Sequence, residues 1–228
     1  MSGAPPTSDE AARMSALRAL EILDTEAEAQ FDNLTRLAAD LCALPIALVS
    51  LVDSERQWFK SRVGLDAPET PREHAFCAHA IHGDDVMVVE DATRDVRFAN
   101  NPLVTGEPNI RFYAGAPLIT RDGHALGTLC VIGDAPRTIS AQETRALETL
   151  AQQAMTLLEY RRVSRDLSEA LSQVKVLSGL IPICAWCKQV RDDDGYWHEV
   201  DRYIATHTGA DITHGICPEC LPPGERKD

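Results

Sequence analysis

The sequence lacks both a long apolar segment and an N-terminal leader. Its longest apolar stretch, around Ile46–Val52, is far shorter than the roughly 20 residues that a membrane helix needs. The first ten residues, MSGAPPTSDE, contain neither the basic segment nor the apolar segment of a secretion signal. These absences predict a cytoplasmic protein without a membrane anchor.

Positive charge is also scarce. The chain has 22 Lys and Arg against 35 Asp and Glu, which gives a formal net charge of −13. Because affinity for nucleic acids and anionic membranes depends on cations, this balance argues against both partners. The apolar share of 44% and the charged share of 25% are ordinary for a globular protein, which excludes disordered and collagen-like classes.

The seven cysteines are an odd number in a chain without a leader. In that setting, reduced thiols or metal ligands are more common than disulfides. Cys42, Cys77 and Cys130 are isolated in the sequence, whereas the other four form two Cys-x-x-Cys pairs near the C-terminus.

Hydrophobic periodicity predicts an α+β fold. The spacing of apolar residues between Phe31 and Leu41 is helical, and Ile46–Val52 is rich in β-branched residues, as strands are. Phe112–Ile119 and Leu126–Ile132 predict a hairpin around the turn Arg121-Asp122-Gly123. We divide the chain into a disordered N-terminus (1–14), a domain core (15–139), a long helix (140–178) and a C-terminal module (179–228).

The long helix begins with a capping box formed by Ser140 and Glu143. No glycine or proline interrupts residues 140–177. The first half has an apolar face that suits packing on the sheet, but the second half has no remaining domain to cover its leucines. A parallel two-stranded coiled coil would bury them, so the sequence predicts a homodimer through residues 140–178.

Several stretches carry a family resemblance, and they occur in the family's order. They are Leu20–Asp24, Ile46–Asp53, Arg56–Lys60, Arg72–Ile81, Asp91–Gly106, Arg111–Leu118 and Gly127–Ile132. Over about residues 15–160 the chain resembles the GAF family of bacterial sensory domains. The resemblance implies an antiparallel sheet flanked by helices, with a ligand pocket on one sheet face. It does not identify the ligand, because GAF domains bind many ligands or none.

Eight residues are candidates for lining that pocket: Trp58, Phe76, Cys77, His79, Phe98, Asn101, Arg111 and Tyr113. Their rings and the guanidinium suit a small anion. Cys77 and His79, together with His74 and His82, suit a metal, heme or redox site. In the alternative interpretation these side chains pack the sheet and hold the long segment between Asp91 and Asn109. Short patterns of this kind also recur by chance.

Three specialised GAF functions have weaker support. The Cys-His dipeptide of typical pigment-binding GAF domains and the Asn-Lys-Phe-Asp-Glu signature of cyclic-nucleotide GAF domains are both absent. GAF-fold methionine sulfoxide reductases use two or three loop cysteines. Here Cys42 falls on a predicted helix and Cys130 in a predicted strand, so both are interpreted as core residues. Only Cys77 is expected to be exposed.

The C-terminal module contains the most specific motif. Cys184-x-x-Cys187 and Cys217-x-x-Cys220 can supply the four thiolates of a tetrahedral structural zinc site. A module of this size is too small for a stable apolar core alone, so a zinc-ribbon-like fold is expected. His214 is a possible substitute or supporting ligand, and dithiol redox chemistry is the alternative. The segment resembles a short tail at the ends of some bacterial signalling proteins.

Together these features predict a cytoplasmic signal-transduction sensor without catalytic residues. Its GAF domain would sense a small ligand or a redox state, and its zinc module would contact a partner output protein. Two alternatives remain open. One is a thiol-dependent redox enzyme or sensor that uses Cys77, and the other is a structural adaptor that binds no ligand.

Overall fold

A computed structural model describes residues 3–177, 182–192, 194–208, 213 and 215–216. The chain divides into two units, Met1–Asp166 and Leu167–Asp228. His214, Cys217 and Cys220 of the predicted zinc site lie outside the described residues. None of the described helices is both long and apolar enough to cross a membrane.

The first unit is built on a six-stranded antiparallel sheet with the strand order β3-β2-β1-β6-β5-β4. The strands are β1 (Ile46–Val52), β2 (Arg56–Val63), β3 (Glu69–Pro71), β4 (Met87–Val89), β5 (Phe112–Ile119) and β6 (Ala125–Gly133). The helices are α1 (Glu10–Ala19), α2 (Ala29–Cys42), α3 (Cys77–Ala80), α4 (Pro102–Thr105) and α5 (Ala141–Leu177), with a 3-10 turn at Arg72–His74. Of α5, the residues up to Asp166 belong to this unit. The predicted α+β fold is therefore confirmed.

The two faces of the sheet pack against different partners because side chains alternate along each strand. In β1, Ala47, Val49 and Leu51 lie in a core cluster with residues of α1, α2 and α5. Ile46 and Leu48 lie in a second cluster, with α3 and the segment that follows β4. Every residue of β1 is buried, as expected for a central strand covered on both faces.

Helix α5 begins with the predicted capping box. Glu143 N–H donates to Ser140 Oγ, and Ser140 N–H donates to Glu143 Oε2. Leu147, Ala154 and Leu158 are buried on the sheet side, so the first half of the helix packs as expected. The described residues belong to one chain, and the coiled-coil pairing stays a prediction.

The N-terminus is more ordered than the sequence suggested. Residues 1–14 were expected to be disordered, but α1 begins at Glu10 and buries Arg13 and Met14. The reason is electrostatic: Arg13 Nη1 donates to the carbonyl of Val52 at 2.7 Å, and Glu10 pairs with both Arg13 and Arg72. An arginine in a polar stretch gives no sequence signal for burial.

In the second unit, two short strands form a hairpin. They are β7 (Val190–Arg191) and β8 (Trp197–His198), and helix α6 (Val200–Thr208) follows them. The turn is held by Asp192, whose carboxylate accepts from the Tyr196 N–H and hydrogen-bonds the His198 ring.

Candidate functional site: an apolar cavity and a thiol cluster

A cavity of about 390 Å³ lies on the sheet face opposite helices α1, α2 and α5. Its volume is within the range of small-molecule sites, roughly 300–1,000 Å³. Strands β1, β2, β3, β5 and β6, helix α3 and the segments after β2 and α4 form the walls. The apolar lining includes Ile46, Leu48, Phe59, Leu65, Ala75, Phe76, Leu103, Ile110 and Ile132.

Two polar atoms in the wall have no hydrogen-bond partner among the described residues. They are Oε1 of Gln57 and Oγ1 of Thr70, and both are buried. Gln57 on β2 and Thr70 on β3 face each other as register partners, so the two atoms belong to one part of the wall. A buried polar group without a partner costs about 1–3 kcal/mol, and a ligand that bonds to it would remove that cost.

The charged residues that line the cavity within residues 3–177 are both acidic. They are Asp66 and Glu107, and both are solvent-exposed. Their negative charge disfavours an anionic ligand and suits a neutral or cationic one. Arg111 was expected to contact an anion. Its guanidinium instead donates to the carbonyls of Val104 and Ile110.

The structure separates the eight candidate pocket residues. Phe76, Cys77 and Tyr113 line the cavity. Trp58 does not, since it packs in the core cluster on the other face of the sheet. Along β2, Trp58 and the neighbouring Gln57 point to opposite faces, which places Gln57 rather than the tryptophan in the wall.

Phe98, His79 and Asn101 do not line the cavity and instead pack against or hydrogen-bond residues near it. Phe98 stacks on Phe76 with ring centroids 3.9 Å apart, and His79 meets Phe98 edge-on at 4.9 Å. Asn101 caps α4 by accepting from the Leu103 N–H, and its amide donates to the carbonyl of His74. The long segment after β4 is therefore packed against the domain. Gln57 and Thr70 were missed, although strand alternation places Gln57 on the same face as Phe59.

Cys77 is the centre of a cluster of polar side chains beside the cavity. An exposed thiol was expected at this position, but Cys77 is only 1% exposed. Its Sγ accepts hydrogen bonds from Ser50 Oγ at 3.1 Å, Thr128 Oγ1 at 3.0 Å and Tyr113 Oη at 3.3 Å. The Cys130 Sγ lies 3.9 Å away. Ser50 and Thr128 are register partners on β1 and β6, so the sheet itself places their hydroxyls together.

This environment favours the Cys77 thiolate. Burial raises the pKa of the thiol, but the hydrogen bonds from Cys130, Ser50, Thr128 and Tyr113 outweigh burial and lower the pKa of Cys77 to about 7. The Cys77 hydrogen bond and burial raise the pKa of Cys130 well above its ordinary value. Burial and the Cys77 charge do the same for Tyr113. Of these three groups, Cys77 therefore loses its proton first, and the resulting thiolate is the nucleophilic form of a thiol.

Both Cys-x-x-Cys pairs fall within the second unit, and the first pair lies among the described residues. Cys184 and Cys187 are free thiols on a turn. The Cys184 carbonyl accepts from the Lys188 N–H at 3.0 Å, and Lys188 has a φ of 65°. Hydrogen bonds from the backbone of Cys187 and Trp186 lower the pKa of Cys184. The described residues contain no group of three or more potential metal ligands, and His214, Cys217 and Cys220 are not among them.

Comparison with known proteins decides the family. The profile of the GAF domain family matches residues 26–158, which is more than half of the chain. The chain belongs to the GAF family. A Pseudomonas aeruginosa protein named as a cyclic di-GMP phosphodiesterase is 42% identical over 170 residues, which cover 74% of this chain and 29% of that protein. The chain thus matches less than a third of the length of this curated relative.

Solved GAF structures share the fold. The GAF domain of an Acinetobacter phosphoenolpyruvate-protein phosphotransferase superposes with a TM-score of 0.51 at 18% identity, over 69% of this chain and 96% of that one. The PixJ GAF domain of Thermosynechococcus elongatus gives 0.52 at 17% identity, over 70% and 96%. At these identities the likeness establishes the fold alone.

Gly115 provides a test of how the cluster is positioned. A Cβ at this position would lie 2.1 Å from Tyr113 Oη, so Gly115→Ala forces the hydroxyl that contacts Cys77 to move. We expect a loss of about 1–3 kcal/mol in the free energy of unfolding, measured by urea denaturation. The matched control is Gly83→Ala, where the added Cβ meets no atom within 4 Å. Equal effects of the two substitutions would contradict this packing.

Proposed function

We propose that this chain is a sensory GAF protein of a signalling pathway, and that its cavity binds a small neutral or cationic molecule. The observation that carries the proposal is the pair of polar atoms without partners among the described residues, Gln57 Oε1 and Thr70 Oγ1, in a mainly apolar wall. Gln57 Oε1 can only accept a hydrogen bond, so the ligand would present a donor there. Apolar ligand surface would contact Leu48, Phe59 and Phe76.

The signalling context follows from the relatives. GAF membership and the relative named as a cyclic di-GMP phosphodiesterase support a place in cyclic di-GMP signalling. The acidic residues Asp66 and Glu107 argue against cyclic di-GMP itself as the cavity ligand, because it carries two phosphates. In this proposal the cavity senses a different molecule, and a partner output protein acts on the result.

Thermal shift measurements test the ligand class. Neutral and cationic probes such as indole, adenine and tryptamine are compared with cyclic di-GMP on the purified full chain. We expect at least one uncharged or cationic probe to raise the melting temperature, because only these match the acidic residues of the lining. The shift should be lost in Gln57→Met, which removes the acceptor with little change in side-chain length.

The stability of Gln57→Met without ligand gives an independent check on the unpartnered carbonyl. Without ligand, Gln57→Met should stabilise the fold, by up to about 1–3 kcal/mol, because the unpartnered carbonyl is removed. Stabilisation by cyclic di-GMP alone would contradict the proposed ligand class. No shift with any probe, together with an unchanged stability of Gln57→Met, would favour the ligand-free adaptor.

The second half of helix α5 supports a homodimer through residues 140–178. Tyr160, Val163, Leu167 and Leu171 are each more than half exposed, and their spacing of 3, 4 and 4 places them along one side of a helix. A second copy of the same helix would cover them in a parallel coiled coil. Light scattering checks this: the wild-type mass should be twice the 25.0 kDa of one chain, and Leu167→Glu should reduce it.

The C-terminal module is proposed to hold one structural zinc ion through Cys184, Cys187, Cys217 and Cys220, with His214 as a supporting or substitute ligand. The free thiols of Cys184 and Cys187 on one turn fit this donor set. Zinc would supply folding energy that a small module cannot obtain from apolar burial. The exposed Trp186 and Tyr196 would then be available to a partner protein, since aromatic residues are enriched at interfaces.

Metal analysis tests the zinc site. Protein purified under reducing conditions without added metal should contain about one zinc per chain by plasma mass spectrometry. Cys184→Ser with Cys187→Ser should lose it, because two ligands are removed. Cys42→Ser, a change at a buried thiol of the first unit, should retain it. Wild-type protein without zinc, or zinc retained in the double variant, would refute this assignment.

A further inference from the structure

Two buried thiols from distant parts of the sequence lie side by side in the first unit. Cys77 at the start of α3 and Cys130 in β6 are 53 residues apart, and their Sγ atoms are separated by 3.9 Å. Both are free and buried. The third cysteine of this unit, Cys42, belongs to the core cluster on the other face of the sheet. Cys77 and Cys130 can therefore react with each other, whereas Cys42 serves as a buried control thiol outside the pair.

The surroundings give the two sulfurs different properties. Cys77 receives hydrogen bonds from three hydroxyls, whereas Cys130 lies within hydrogen-bonding distance of Cys77. Cys77 also lines the cavity, and Cys130 is not among its lining residues. A small molecule inside the cavity would therefore meet Cys77 first, with Cys130 behind it as the second thiol.

We propose that Cys77 and Cys130 form an oxidisable thiol pair, in which a hydroperoxide that enters the cavity oxidises Cys77 and Cys130 then closes a disulfide. This goes beyond ligand sensing and does not require a ligand in the cavity. It also revises the interpretation of Cys130 as a passive core residue.

The chemistry balances in two steps. The Cys77 thiolate attacks the terminal peroxide oxygen and the O–O bond breaks. The products are Cys77 sulfenic acid and hydroxide from hydrogen peroxide, or an alkoxide from an organic hydroperoxide. The Cys130 sulfur then attacks the Cys77 sulfur, an S–S bond forms, and the S–O bond breaks. The Cys130 proton leaves with the hydroxyl as water. Two thiols lose two electrons in total, and the peroxide gains them.

Closing the bond changes the cavity wall. A disulfide has an S–S distance of about 2.05 Å, so the two sulfurs must approach by about 1.9 Å. The hydroxyls of Ser50, Thr128 and Tyr113 would lose a thiolate as their acceptor. Because Phe76 immediately precedes Cys77 and lines the cavity, movement at the start of α3 would alter the site.

Peptide mapping of the full chain tests the pair directly. Trypsin releases Cys77 in peptide 73–94 and Cys130 in peptide 122–137, and each peptide contains one cysteine. After treatment with hydrogen peroxide and blocking of free thiols, we expect these two peptides to be joined as the main form of Cys77. Dithiothreitol should separate them. Joining should persist in Cys42→Ser.

The variant Cys130→Ser separates the two steps. It should stop at a Cys77 sulfenic acid, which dimedone labels, and no joined peptide should form. Oxidation of glutathione added to the same sample shows that the peroxide was active. The proposal is overturned if glutathione oxidises while Cys77 and Cys130 stay reduced. It is equally overturned if Cys77 passes to sulfinic acid in the wild type without joining Cys130.

Discussion

The sulfur of Cys77 fixes the short helix α3 to three neighbouring strands of the sheet. Ser50 on β1, Thr128 on β6 and Tyr113 on β5 all donate to this one atom. A four-residue helix cannot be stable by itself, since helix formation needs many more residues to overcome nucleation. The position of α3, and with it the Phe76 side of the cavity, therefore depends on this polar contact and on the packing of Phe76 against Phe98.

A domain that binds a small molecule needs a preformed space with a few polar groups, and the first unit has both. The alternation of side chains along β1 and β2 supplies apolar lining, while Gln57 Oε1 and Thr70 Oγ1 add two polar atoms without partners among the described residues. Cys77 and Tyr113 of the thiol cluster line the same cavity, so ligand binding and thiol oxidation would affect the same cavity. A shared cavity of this kind would let one site respond to two kinds of signal.

Much of the fold could be predicted from sequence, because period-2 and helical patterns of apolar residues are local. The strands at Ile46–Val52 and Phe112–Ile119 and the capping box at Ser140 are examples. Residues buried by contacts that are distant in sequence were harder to predict. Arg13 and Cys77 are buried by partners 39 and 27 residues away, at Val52 and Ser50, and no local pattern carries that information. Trp58 and Arg111 were predicted to line the pocket because aromatic and charged side chains are common in ligand sites. Gln57 and Thr70 were not predicted, because their residue types are ordinary in strands.

The ionisation of Cys77 is the most direct test of the central role of this sulfur. Thiolate absorbance near 240 nm is recorded against pH for the folded wild type and for Cys77→Ser, and the difference isolates this thiol. The account predicts a difference that titrates with a midpoint of about 7, because hydroxyl donors stabilise the charged form. A midpoint at or above the ordinary thiol value would show that burial dominates, and it would contradict the account.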